Sequence, residues 1–210
     1  MACSRNLIRE VSNLKKTQVG RRVRERVREF QKVGRKPAGR IFSELCFCIL
    51  TANFNAERAI EIQNKVKKGF ITLSEKKLAE LLKNLGYRFP NTRARYIVEA
   101  RVHRKALNRV LATLQGDELR EWFVKNVKGL GFKEASHFLR NIGFKDYAII
   151  DFHIVDVLVG AGLIERPKVL SKDRYIEVED ILRTMAFRLK LNLAELDLYL
   201  WYLETKKVLK

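Results

Sequence analysis

Val127-Lys-Gly-Leu-Gly-Phe-Lys-Glu-Ala-Ser-His137 decides the fold, and Ala148-Ile-Ile-Asp-Phe-His153 completes the reading. In the first stretch Gly129 and Gly131 flank one apolar residue, and a helix-forming run starts straight after. A residue without a Cβ lets the chain turn tightly and brings backbone N–H groups close to a large partner. Those N–H groups lie at a helix N-terminus, where the dipole favours an anion. In a chain of net charge +19, an anion held against bare backbone is most simply a nucleic-acid phosphate. Lys133 follows two residues after Gly131, and Asp151 closes the next apolar run.

Val127-Lys-Gly-Leu-Gly-Phe-Lys-Glu-Ala135 resembles the hairpin of the helix–hairpin–helix DNA glycosylases. Lys133 falls where the bifunctional members keep a catalytic lysine. Ile150-Asp151-Phe152-His153 resembles their catalytic aspartate motif, at a fitting distance along the chain. The glycine pair alone is common; glycines, lysine and aspartate in register are specific. The resemblance implies an all-α, two-domain fold with an interdomain cleft. Residues 36–150 would form a helical barrel that ends in the hairpin, at about 118–142. Residues 1–35 and 151–210 would form the second domain.

Composition agrees with this class. The chain has 210 residues, 43 Lys and Arg against 24 acidic residues, and 47% hydrophobic content. That is enough apolar chain for a core, and too much for a disordered basic tail. Cys46 and Cys48 stand at i, i+2 in an apolar helical run, so they do not share a face and a disulfide is not expected. With three cysteines, a four-cysteine iron–sulfur or zinc site is excluded. No signal peptide is visible, and Asp151, His153 and Asp156 cut the most apolar stretch, so no membrane span is expected. A cytoplasmic, monomeric protein without metal or organic cofactor is the expectation.

Outward from the hairpin, the pattern is helical throughout, with about ten helices and no strand. Residues 1–35 read as helical, with Val19, Val23, Val27 and Phe30 as one apolar stripe. Eleven Lys and Arg against two acidic residues between Lys15 and Arg40 make that region a solvated face or a phosphate-tracking surface. Residues 40–54 form a core helix, Ala56–Lys68 an amphipathic one stopped by Gly69, and Ser74 caps a third. Gly86–Asn91 is a loop carrying Tyr87, Arg88 and Phe89. Thr92–Leu114 reads as one long basic helical region. After Asp151, the residues Phe152, Val155, Leu158 and Val159 make a buried face. Residues 173–190 form a further helix, and Asn192 with Glu195 opens the last one, Leu193–Lys207, by a capping box.

The chemistry follows from the substrate class. A base inside a duplex must be flipped out before it is removed. Breaking the glycosidic bond gives the sugar oxocarbenium character, which a carboxylate such as Asp151 stabilises. A lysine amine at C1′ forms a Schiff base and opens the way to β-elimination; Lys133 is placed for that. Burial and neighbouring positive charge favour the neutral, nucleophilic form of a lysine amine. The competing roles are a plain phosphate contact for Lys133 and a helix N-cap for Asp151. Lys128, Gly129 and Gly131 are the backbone-binding candidates.

Along the family resemblance, Asn53 sits where a polar residue fills the gap left by the extruded base, although it equally suits a helix C-cap. Phe89 is the candidate wedge into the base stack, unless it packs beneath its loop. The missing iron–sulfur cysteines and the short all-helical chain point to the compact type-2 8-oxoguanine DNA glycosylase/lyases of archaea and some bacteria. In that group the chain stops at a lysine near the base pocket, and this chain stops at Lys210. Trp201 would stack on the base, or pack in the core. His137, one turn beyond Lys133, would reach the base, while His153 reads as a structural neighbour of the aspartate. The implied partner is double-stranded DNA containing 8-oxoguanine. A glycosylase for another damaged base and a non-catalytic helix–hairpin–helix protein remain open alternatives.

Overall fold

The computed structural model describes residues 2–210, with side chains from Asn6 onward; Met1 and the side chain of Cys3 lie outside the described part. The described residues form thirteen α-helices, one 3₁₀ turn and no strand. No helix among them is long and apolar enough to cross a membrane. The chain divides into two compact units, Val33–Phe138 and Met1–Lys32 with Leu139–Lys210.

The unit Val33–Phe138 is built on the most apolar helix, α3 (Ala38–Thr51). Phe42, Leu45, Phe47, Ile49 and Leu50 are fully buried on several of its sides, as a helix apolar nearly all round requires. It packs against α4 (Ala56–Val66), α5 (Gly69–Thr72), α7 (Pro90–Ala100) and α8 (Leu107–Thr113). Its one acid, Glu44, is buried and compensated, as an interior charge must be. Arg40 Nη2 lies 3.0 Å and Gln63 Nε2 3.1 Å from its Oε1. Helix α6 (Glu75–Asn84) starts where the sequence places a cap, with the Ser74 hydroxyl accepting the Lys77 N–H at 3.3 Å. The unit's last elements are α9 (Gly116–Asn126) and the first turns of α10 (Phe132–Asn141).

The other unit contains α1 (Ala2–Leu14), α2 (Gln18–Gly34), α11 (Phe152–Gly160), α12 (Lys172–Leu189) and α13 (Leu193–Thr205). Helix α1 packs on α12 and α13, and α11 packs on α13. The capping box at Asn192 and Glu195 is present in both directions. A buried ion pair, Arg140 with Asp197, lies in this unit; the guanidinium also stacks 4.9 Å from the Phe30 ring centroid and meets Asn141 Oδ1 at 3.0 Å. These added contacts satisfy the donors left over by the pair, which a buried charge needs.

Several expectations are corrected. Residues 1–35 are two helices, broken at Lys15–Thr17. The Thr17 hydroxyl accepts the Val19 N–H at 3.2 Å, and a Cβ on Gly20 would stand 2.2 Å from the Lys15 carbonyl oxygen. Gly20 therefore permits the tight junction. Gly69 opens α5, and α4 stops instead at Lys67, which has φ 49°. The long helical region 92–114 is two helices with a 3₁₀ turn at Arg101–His103. There the Arg101 guanidinium donates to the carbonyls of Phe70 at 2.8 Å and Leu73 at 2.7 Å. The last helix ends at Thr205. Phe152 is not part of the buried face but 67% exposed, whereas Ile154, Val155 and Leu158 are buried. Cys46 and Cys48 are buried and form no disulfide among the described residues, and burial pushes the Cys46 thiol well above its ordinary range.

Candidate active site

The hairpin joins α9 to α10. Val127 and Leu130 are buried and anchor the turn, and the Leu130 N–H bonds the Val127 carbonyl at 3.2 Å. Gly129 has φ +86°, a conformation that costs a side chain strain. Space forbids one as well: a Cβ there would lie 2.6 Å from Tyr96 Cδ2 and 3.0 Å from Arg93 Nη1. Gly131 is the residue before α10, and its N–H donates to Glu134 Oε2 at 3.1 Å. Lys128 is exposed and pairs with Glu99 at 3.1 Å. Lys133, in the first turn of α10, has a side chain 25% exposed, with Nζ 3.5 Å from Glu134 Oε1. One turn on, His137 is 7% exposed and meets the edge of Phe47 at 5.5 Å. It lies deeper in the unit than Lys133.

Arg93 connects this hairpin to the loop after α3. It is 9% exposed, and its Nη2 donates to the Ala52 carbonyl at 3.1 Å. The next residue, Asn53, is exposed and has φ 57°, a left-handed conformation that Asn adopts more readily than most residues. The Tyr87 hydroxyl donates to the Leu50 carbonyl at 2.7 Å, and its ring lies 4.4 Å from Phe54. Burial raises the Tyr87 phenol pKa, with Arg93 opposing, so the hydroxyl stays a donor. Phe89, two residues further, is 40% exposed with the Arg88 guanidinium over its ring, and it is not packed beneath the loop. The structure thus ties the loops carrying Asn53 and Phe89 to each other through Tyr87, and to the hairpin through Arg93.

Asp151 stands at the start of α11, half-buried, as its N-cap: Oδ1 accepts the Ile154 N–H at 3.1 Å. Its Oδ2 accepts no hydrogen bond among the described residues. One oxygen thus fixes the side chain. The segment before it, 145–150, has no regular structure yet is largely buried, so its backbone polar groups need partners. They come from two helices of the same unit. Glu179 Oε1 accepts the Ala148 N–H at 2.7 Å, and the Tyr175 hydroxyl accepts the Ile150 N–H at 3.2 Å while donating to the Ala148 carbonyl at 2.7 Å. The Ala194 N–H takes the Lys145 carbonyl at 3.1 Å. Tyr175→Phe leaves two buried backbone groups unsatisfied and should cost about 1–3 kcal/mol. A thermal melt reads this directly; an unchanged melting temperature would mean that the strap does not depend on the hydroxyl.

His153 meets Trp201 edge-on at 4.8 Å and Phe152 at 4.2 Å, with Nδ1 4.0 Å from Glu204 Oε1. Trp201 is half-buried, and its Nε1–H donates to no acceptor among the described residues. Lys210 is half-buried at the chain end. His103 lies against Trp122 at 5.3 Å. Arg93, Glu134, Tyr175 and Glu179 were not singled out from the sequence. Glu134 was visible in principle, since an acid three residues after a helix N-cap is a capping pattern. Tyr175 and Glu179 carry no local signal, because their partners are backbone groups 27 and 31 residues away.

A family model described as 8-oxoguanine DNA glycosylase matches residues 23–191. A relative from Korarchaeum cryptofilum named 8-oxoguanine DNA glycosylase/AP lyase is 49% identical over 207 residues, covering 98% of each chain. A relative of the same name from Methanocaldococcus jannaschii is 47% identical over 206 residues, covering 97% of this chain and 99% of its own. Among solved structures, the Methanocaldococcus jannaschii 8-oxoguanine glycosylase/lyase in complex with a 15mer DNA containing 8-oxoguanine matches with a TM-score of 0.94 at 47% identity, covering 97% of this chain and 99% of that one. The 8-oxoguanine DNA glycosylase of Thermotoga maritima matches with a TM-score of 0.93 at 41% identity, covering 99% of this chain and 100% of that one.

Proposed function

This chain belongs to the helix–hairpin–helix 8-oxoguanine DNA glycosylase family, and we propose that it excises 8-oxoguanine from duplex DNA with Lys133 as nucleophile and Asp151 as the carboxylate that steadies the sugar. It is a bifunctional base-excision-repair enzyme, glycosylase and AP lyase in one chain. The observation that supports these assignments best is the position of Lys133. Its side chain is three-quarters withdrawn from water in the first turn of the helix that the glycine hairpin opens. An amine there is close to the backbone of any strand held by the hairpin.

The reaction divides into two steps. The damaged nucleotide is flipped from the stack, which costs a few kcal/mol of stacking and pairing. The Lys133 amine attacks C1′, the glycosidic bond breaks, and the base leaves with a proton. Asp151 Oδ2 offsets the positive charge that grows on the sugar ring. The C1′–O4′ bond of the resulting aminal then breaks, O4′ takes up a proton and the nitrogen becomes a Schiff base; this acidifies C2′, and loss of that proton expels the 3′ phosphate by β-elimination. Lys128 and the bare backbone at Gly129 and Gly131 hold the phosphates, while the Gly131 N–H keeps its bond to Glu134 Oε2. Asn53 and Phe89 keep the duplex open, and Trp201, Lys210 and His137 read the base. The enzyme works in the cytoplasm, on the chromosome of a prokaryotic cell.

The test is a duplex carrying one 8-oxoguanine opposite cytosine, incubated with the protein and borohydride. A covalent adduct on a denaturing gel is the expected result. An adduct only with an abasic-site duplex would keep the lyase and refute the base. No adduct with either would leave a DNA-binding hairpin without this chemistry.

A further inference from the structure

We infer that Glu134 is a positioning residue for the Lys133 amine, an inference that rests on Lys133 being the nucleophile. Its carboxylate bridges two groups. Oε2 accepts the Gly131 N–H at 3.1 Å, and Oε1 lies 3.5 Å from Lys133 Nζ. Consecutive residues of a helix do not face one another, so this ion pair is not a by-product of helix geometry. It arises because the Glu134 side chain turns back to the residue before the helix, as the third residue of a capping box does. Gly131 has no side chain to reciprocate, and the acid caps this end. The hairpin backbone therefore fixes the carboxylate, and the carboxylate fixes the amine.

Solvent exposure separates this pair from a surface ion pair. The Glu134 side chain is 15% exposed and that of Lys133 25%, so water screens the contact less than it does between fully exposed partners. By contrast Lys128 and Glu99, also at the hairpin, are 68% and 39% exposed. A lysine stem is long and flexible, and an amine that wanders attacks slowly. Tethering by a carboxylate that is itself anchored to backbone keeps the amine at the hairpin until the flipped nucleotide arrives. The hairpin thus holds the phosphate chain and, through Glu134, places the nucleophile beside it.

Glu134→Gln separates the two bonds, because its amide oxygen still accepts the Gly131 N–H while the negative charge that faces Lys133 is gone. Full-length wild type, Glu134→Gln, Glu134→Ala and Lys133→Gln are compared in single-turnover borohydride trapping on an abasic-site duplex, with duplex affinity and melting temperature measured alongside. Trapping by Glu134→Gln should slow about tenfold, the scale of a modest misplacement. Its duplex affinity should not weaken and its melting temperature should hold, so that the loss falls on kcat and not on KM. Glu134→Ala should lose both rate and melting temperature. A Glu134→Gln rate equal to or above wild type overturns the proposal, and so does a rate that falls only in step with its melting temperature. Lys133→Gln keeps the premise separate: if it traps, the nucleophile assignment fails; if it is silent while Glu134→Gln is wild-type, only the positioning role fails.

Discussion

Lys133→Gln should lower strand cleavage of an 8-oxoguanine duplex by at least about a thousandfold, the scale on which loss of a covalent nucleophile is felt. Borohydride trapping should vanish with it. Gln is close to Lys in length and has an amide where Lys has an amine, so it fills the same space in the first turn of α10 without being able to form an imine. Two roles for Lys133 predict different results. As a phosphate contact, it would contribute at most about one unit to the slope of log affinity against log salt, and its loss would weaken binding without touching chemistry. As the nucleophile, it would leave binding largely intact and abolish the covalent adduct. The side chain is too withdrawn to be a simple surface cation: it is 25% exposed, against 68% for Lys128 earlier in the same hairpin. The measurement is cleavage and adduct yield on one gel, with duplex affinity followed at several salt concentrations. Full lyase activity in Lys133→Gln would take this residue out of the reaction.

How far the sequence revealed this site depends on the distance over which each feature is determined. The local structure at Gly129, Gly131, Lys133 and Asp151 was legible because it is set by a few adjacent residues: a turn that needs φ > 0, the start of a helix, the cap of the next. Ser74 and the Asn192–Glu195 box were legible for the same reason. The break at Lys15–Thr17 was not, because neither Gly nor Pro marks it. It is set by the close approach of Gly20 to the Lys15 carbonyl, a contact that looks in sequence like a weak position inside a helix. The 3₁₀ turn at Arg101–His103 was hidden likewise, since Arg101 serves carbonyls about thirty residues earlier. Phe152 misled through periodicity. It shares spacing with Val155 and Leu158, yet as the first residue of α11 it sits at the rim and is exposed. Arg93, Tyr175 and Glu179 were invisible because what they hold is backbone, and backbone carries no residue type to pair with.

Asp151→Asn tests whether the carboxylate acts through its charge or only through its cap. Asn is as good an N-cap as Asp, and its side-chain oxygen can still accept the Ile154 N–H that Oδ1 holds at 3.1 Å. The melting temperature should therefore hold, apart from the small loss of a negative charge at a helix N-terminus, about 0.3–1 kcal/mol. Base release should nevertheless slow by about a hundred- to a thousandfold, the usual effect of removing one preorganised group that meets charge developing in the transition state. Asp151→Ala provides the complement: it removes charge and cap together and should lower stability by about 1 kcal/mol as well. Single-turnover release of 8-oxoguanine, developed with alkali so that base loss is counted without the lyase step, gives the rate. If Asp151→Asn releases base at the wild-type rate, the carboxylate is a cap and nothing more. If the rate falls while the melting temperature stays, the oxygen that caps α11 and the oxygen left without a hydrogen bond have separate tasks, one holding the side chain in place and the other meeting the charge on the sugar.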